Sequence, residues 1–128
     1  MVRSGPRLLH ASCHCGAVRL EIKQKPRQLT DCNCSICCRY GALWCYYTET
    51  SVKVILSRTN ALTAYSWGTK SLRFQHCTTC GCVAYHEPSR KRDAATRLGV
   101  NARLMDPDEI ANVRVRKLDG ASTWKYLD

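Results

Sequence analysis

The chain has 128 residues, ten of them cysteine, with 20 Lys and Arg against 10 Asp and Glu and a formal net charge of +10. That length suits one domain with a real core rather than two independent ones, and no apolar run approaches the roughly 18 residues of a membrane span. The N-terminus lacks the charged-then-apolar pattern of an export signal, which predicts a cytoplasmic protein and argues against a disulfide framework.

Residues 1–7 read as a flexible, polar lead-in to a single zinc-binding domain over residues 8–128. From Ala17 to Ile22 apolar and polar side chains alternate with period two, the pattern of a half-buried strand. Residues 43–47, 52–56, 62–67, 72–76, 83–86, 97–102 and 113–118 read alike, giving eight short strands and a mainly β fold. Helix is scarce. Residues 35–40 read as one helical turn, and Asp106 followed by Pro107 is a helix-start signal. The charged stretch 89–95 reads as a mobile loop between strands.

The cysteines fall into tight groups: Cys13 and Cys15; Cys32, Cys34, Cys37 and Cys38; Cys77, Cys80 and Cys82; with Cys45 alone. Disulfide scaffolds spread their cysteines so that each bridge closes a loop, whereas a tetrahedral metal takes pairs two or three positions apart from one turn. The grouping therefore points to metal. Seven metal-bound thiolates and two Zn²⁺ would leave the chain at about +7, still basic. Such a charge raises the local concentration of any anionic partner without choosing among them.

Cys13-His14-Cys15-Gly16 and Cys77-Thr78-Thr79-Cys80-Gly81 share a glycine directly after the second cysteine. In a metal knuckle the backbone folds back to point N–H groups at the sulfurs, and glycine allows the positive φ of that turn. Cys13, Cys15, Cys77 and Cys80 thus read as one closed, structural four-cysteine site. Cys32, Cys34 and Cys37 have no such glycine and offer three ligands from one segment, leaving a tetrahedral Zn²⁺ one open corner, the mark of a catalytic site. In the competing reading Cys38, Cys45, Cys82 or a histidine closes that tetrahedron; a third arrangement would pair Cys32 and Cys34 with Cys77 and Cys80. Cys45 and Cys82 read as buried small hydrophobes, Cys38 as a spare thiol or core filler. His14 and His76 sit beside ligand cysteines, where a hydrogen bond to a ligand residue or plain strand packing suits them better than ligation. His10 and His86 carry no signal.

The order C-x-C-G, C-x-C-x-x-C, C-x-x-C-G, closed by Val113-x-Val115-Arg116-x-x-Asp119-Gly120, resembles the glutathione-dependent formaldehyde-activating enzyme family, which includes the centromere protein V relatives. The resemblance spans roughly residues 8–128. It implies an Mss4-like fold of short antiparallel sheets with little helix, a structural zinc on Cys13, Cys15, Cys77 and Cys80, and a second, looser zinc on Cys32, Cys34 and Cys37. Residues 99–103 resemble the family's strand before the acidic turn at Asp106, and Leu118-Asp119-Gly120 its closing turn.

The activity so implied is that of a carbon–sulfur lyase or ligase, in which glutathione adds as a thiolate to formaldehyde. Thiolate-ligated zinc is a weak Lewis acid toward water and suits thiol exchange better than hydrolysis. Tyr40, Trp44 and Tyr46 are candidates to shape the pocket, and no general acid or base is singled out by spacing. The rival class is a binding module with two structural zincs and a basic face for nucleic acid or protein; no aromatic-plus-basic pattern of the usual nucleic-acid modules favours it. A metal chaperone or redox sensor using the central cysteines is the remaining class. Nothing in the sequence specifies an oligomeric state.

Overall fold

The structure is a computed structural model that describes residues 8–90 and 96–128. The expected lead-in over residues 1–7, and most of the expected loop at 89–95, lie outside the described residues. Among the described residues ten strands and two short α-helices run in the order β1 (Leu9–Ser12), β2 (Val18–Ile22), β3 (Gln28–Cys32), α1 (Ser35–Tyr40), β4 (Trp44–Thr48), β5 (Val52–Leu56), β6 (Leu62–Tyr65), β7 (Leu72–Cys77), β8 (Val83–Pro88), β9 (Arg97–Asn101), α2 (Pro107–Ile110) and β10 (Arg114–Leu118). The fold is mainly β, as the alternation implies.

β1, β2 and β5 form a three-stranded antiparallel sheet. The other seven strands form one sheet in the order β10-β3-β4-β9-β8-β7-β6, antiparallel except where β10 runs parallel to β3. Alternation builds the interior directly: Val18, Leu20 and Ile22 of β2 are buried while Arg19 faces out. Two apolar clusters result. The larger gathers Leu9, Val18, Leu20, Ile22, Leu29, Tyr47, Val100 and Met105, and the smaller gathers Cys32, Cys37, Trp44, Phe74 and Val83. The second cluster therefore contains two of the central cysteines themselves.

Eight strands lie where the alternation put them, within a residue or two at the ends, and β1 and β3 are additional. β1 spans four residues, too few for a periodic signal although its burial does alternate. β3 is a polar-looking segment, Gln28-Leu29-Thr30-Asp31-Cys32, whose Thr30 is nonetheless buried and hydrogen-bonds the Tyr126 hydroxyl at 3.0 Å. Being flanked on both sides, β3 is held by pairing rather than by hydrophobicity. The expected helices are present: α1 ends at Gly41, whose φ of 65° lets its N–H reach the carbonyls of Cys37 and Cys38. Asp106 caps α2 by accepting from the Asp108 N–H at 2.9 Å.

Candidate metal centres and the cleft above them

The seven expected ligands come together in two groups: Cys13, Cys15, Cys77 and Cys80, and Cys32, Cys34 and Cys37, the sulfurs of each lying within 4.8 Å of one another. Tetrahedral zinc with bonds of about 2.3 Å sets its sulfurs about 3.8 Å apart. The Cys13–Cys15 and Cys15–Cys77 sulfur separations are 3.7 and 3.5 Å. A disulfide needs about 2.05 Å, and all ten thiols are free.

The four-cysteine group is made by two turns. Cys13 and Cys15 lie in the β1–β2 turn, while Cys77 ends β7 and Cys80 lies in the turn to β8. An ion held there would fasten the small sheet to the large one. Both glycines have the positive φ that knuckles use, 84° at Gly16 and 80° at Gly81. Backbone N–H groups point at the sulfurs, from Val18 to Cys13 at 3.3 Å and from Thr79 to Cys77 at 3.4 Å. Burial opposes ionisation of Cys80, yet N–H groups of Cys82 and Cys15 outweigh it and hold the thiol at about 5. The backbone here is arranged for thiolates.

The three-cysteine group sits at the junction of β3, α1 and the chain after β10. Parallel pairing sets Leu118 opposite Cys32, which brings Asp119 and Gly120 against the ligand segment. Asn33, between two ligand cysteines, fixes this contact: its amide donates to the Asp119 carboxylate at 3.0 Å and accepts from the Ala121 N–H at 3.0 Å. Asp119 also accepts from the Thr123 hydroxyl at 2.9 Å, and its carbonyl accepts from the Trp124 N–H at 2.7 Å. Gly120 is required for space, because a Cβ there would collide with Cys32 Sγ.

Trp44, buried in β4, donates its indole N–H to Cys37 Sγ at 3.2 Å. Burial nevertheless raises the Cys37 and Cys32 thiols. Burial pushes Cys34 the same way, but N–H groups at the first turn of α1 outweigh it and lower that thiol. Like charges in so small a space repel, and a divalent cation is the species that relieves all three sulfurs together. The donor set is soft and suits zinc. Among the described residues no other His, Cys, Asp or Glu joins the group.

The remaining cysteines stand apart from this centre. Cys38 is exposed and turns toward the Ser35 carbonyl, and Cys45 lies in the larger core cluster. Cys82 is half-buried and adjoins Cys80 instead, so the central cysteines do not pair with those of the β7–β8 turn.

A cleft of about 380 Å³ opens over the three sulfurs, lined also by Tyr46, Phe74, His86, Leu118, Trp67 and Trp124. Tyr46 is thus at the site, while Tyr40 is not: its hydroxyl bonds His76 Nε2 at 2.8 Å and its ring lies on Phe74. His86, without a signal in the sequence, is a wall residue. Its ring lies edge-on to Trp44 at 4.6 Å, and Gly99 of the neighbouring strand leaves the room it occupies. Burial lowers its pKa to about 4, so it walls the cleft as a neutral ring. Its signal was the glycine opposite it in register, which only strand pairing reveals. A second cavity of about 470 Å³ shares Tyr46 and gathers Lys25, Arg27 and Arg97.

The family model for glutathione-dependent formaldehyde-activating enzyme matches residues 8–116. The chain belongs to the glutathione-dependent formaldehyde-activating enzyme family. A crystal structure of a Rhodobacter sphaeroides protein is similar, with 28% identity and a TM-score of 0.67 over 84% of this chain and 99% of the other. In this member of the family the two cysteine clusters can hold metal ions, and among the described residues no helix is long and apolar enough to cross a membrane.

Proposed function

We propose that the chain is a zinc-dependent enzyme that joins a thiol to an aldehyde, and cleaves the product in reverse, at Cys32, Cys34 and Cys37. The observation that carries this reading is the convergence of three sulfurs, with no fourth protein ligand among the described residues, on the floor of an open cleft. Cys13, Cys15, Cys77 and Cys80 would hold a second zinc with a purely structural role, since four thiolates leave no corner free. Glutathione and formaldehyde are the pair the family description supplies. Free thiols throughout fit a reducing compartment such as the cytoplasm.

Zinc bound by the central cysteines would supply a lowered pKa for an incoming thiol, presenting it as a nucleophile at neutral pH. The thiol gives up its proton to solvent; its sulfur forms a bond to the carbonyl carbon as the C=O π bond breaks, and the oxygen takes a proton to become the hydroxyl of a hemithioacetal. The protein's residues position this reaction. Trp44 fixes Cys37, the first turn of α1 fixes Cys34, and Gly120 leaves Cys32 its place. Tyr46, Phe74 and His86 form uncharged walls that keep bulk water from the sulfurs.

The test is direct. Hemithioacetal formation from glutathione and ¹³C-formaldehyde, followed by exchange NMR, is accelerated by the zinc-loaded protein and returns to the uncatalysed rate with Cys34→Ser. An undiminished rate in that variant, with the fold intact, would remove the central cysteines from the reaction.

A further inference from the structure

Among the described residues that line the cleft over the three sulfurs there is no Lys, Arg, Asp or Glu. Ile36, Leu72, Phe74 and Leu118 supply aliphatic and aromatic wall, and two tryptophans from separate loops stand at its mouth. Trp67 is 46% exposed and Trp124 68% exposed, a large apolar area to leave in water without use. Both are held there by built turns. Trp124 has a φ of 60°, a strained value for a residue with a Cβ, imposed by the Asp119 hydrogen bonds that Asn33 anchors beside the cysteines. Trp67 opens the turn between β6 and β7, whose Gly68 and Lys70 also have positive φ, at 60° and 57°. Cationic charge lies elsewhere, in the cavity beyond Tyr46.

Formaldehyde brings one carbon to the sulfur, and the charged peptide of glutathione finds no cation among the described lining residues, so neither matches these apolar walls and both indoles. A cleft of about 380 Å³ is within the usual range for a small-molecule site and is large enough for a ring or branched chain beside the sulfur. We propose that the aldehyde this chain handles carries an aromatic or branched-alkyl group, which lies between Trp67 and Trp124 while its carbonyl carbon meets the thiol sulfur. The inference rests on the thiol–aldehyde reading of the central cysteines and adds the substrate class. The bond changes are those already given, with an aryl or alkyl substituent in place of one formaldehyde hydrogen.

S-benzylglutathione and S-methylglutathione mimic the two kinds of adduct at equal charge, and calorimetric titration into zinc-loaded protein compares them. The expected result is at least tenfold tighter binding of the benzyl compound, with that preference falling about tenfold in Trp124→Gly, which also relieves the backbone strain, and falling similarly in Trp67→Ala. A tenfold loss corresponds to roughly 55 Å² of apolar contact. Equal affinities, or a preference unchanged in both variants, would overturn the proposal. Binding of phenylmethanethiol with neither glutathione thioether bound would overturn it too, by assigning the apolar group to the thiol. The visible absorption of the cobalt-substituted protein on adding glutathione separates the two levels. An unresponsive cobalt band refutes the reading of an open metal centre, whereas a responsive band with equal thioether affinities refutes the substrate class alone.

Discussion

Replacing Gly120 by alanine perturbs the central cysteines without replacing a ligand. The added Cβ meets Cys32 Sγ within contact distance, with Trp124 Cζ3 at 3.4 Å and Cys34 Cβ at 3.5 Å on its other sides. It cannot swing away, and the backbone of Gly120 is outside the left-handed region, so the collision is the whole cost. Overfilling a site of this kind costs about 1–3 kcal/mol. Metal geometry tolerates only about 0.2 Å of ligand displacement, so the cost falls on metal affinity at Cys32, Cys34 and Cys37, about 5- to 150-fold. Titration of the zinc-loaded variant with a chromophoric chelator should release one equivalent early and the second as in wild type, with the circular dichroism spectrum unchanged. Gly16→Ala is the contrasting control: its Cβ meets nothing within 4 Å but must adopt a φ of 84°, so its effect falls on the four-cysteine group. Release of both equivalents alike from Gly120→Ala would refute the steric argument.

Trp44→Phe removes the N–H that Cys37 receives at 3.2 Å, leaving a buried thiolate short of a donor; central-site affinity should fall about tenfold in the same chelator assay. Cys80→Ser should lower the melting temperature of the zinc-loaded protein by about 10 °C or more, because an ion held by the four-cysteine group would fasten the two sheets, whereas Cys34→Ser should change it little; differential scanning calorimetry reads both. His86 titrates at about 4 in the fold against 6.5 when exposed, so folding disfavours its charged form. Its contribution is full above about pH 6.5 and is lost as pH falls toward 4, so urea denaturation over that range should find wild type losing about 3 kcal/mol more than His86→Leu.

Much of this site was legible in the sequence because metal ligands are local. Two cysteines two or three positions apart, followed by glycine, state both the donor atoms and the turn that presents them, and Gly16 and Gly81 have the positive φ expected. The strands were legible where alternation was long enough to count. β3 was not, since Thr30 and Asp31 look like loop residues until β4 and β10 cover them. The cleft was not legible either. Its walls come from β7 and β8, which reach the site through β9 and β4, and from β10 and the chain beyond, brought to Cys32 by a parallel pairing whose register no local pattern encodes. Trp67, Trp124 and His86 each look ordinary alone, and they acquire meaning from standing around three sulfurs.

The account turns on a free corner at Cys32, Cys34 and Cys37. Zinc K-edge X-ray absorption of the two-zinc protein, before and after addition of thiol, tests it most directly. One four-sulfur and one three-sulfur site average about 3.5 sulfurs per zinc, rising to about 4 as the thiol binds. Four sulfurs per zinc at the outset, or a count that thiol leaves unchanged, would contradict the account.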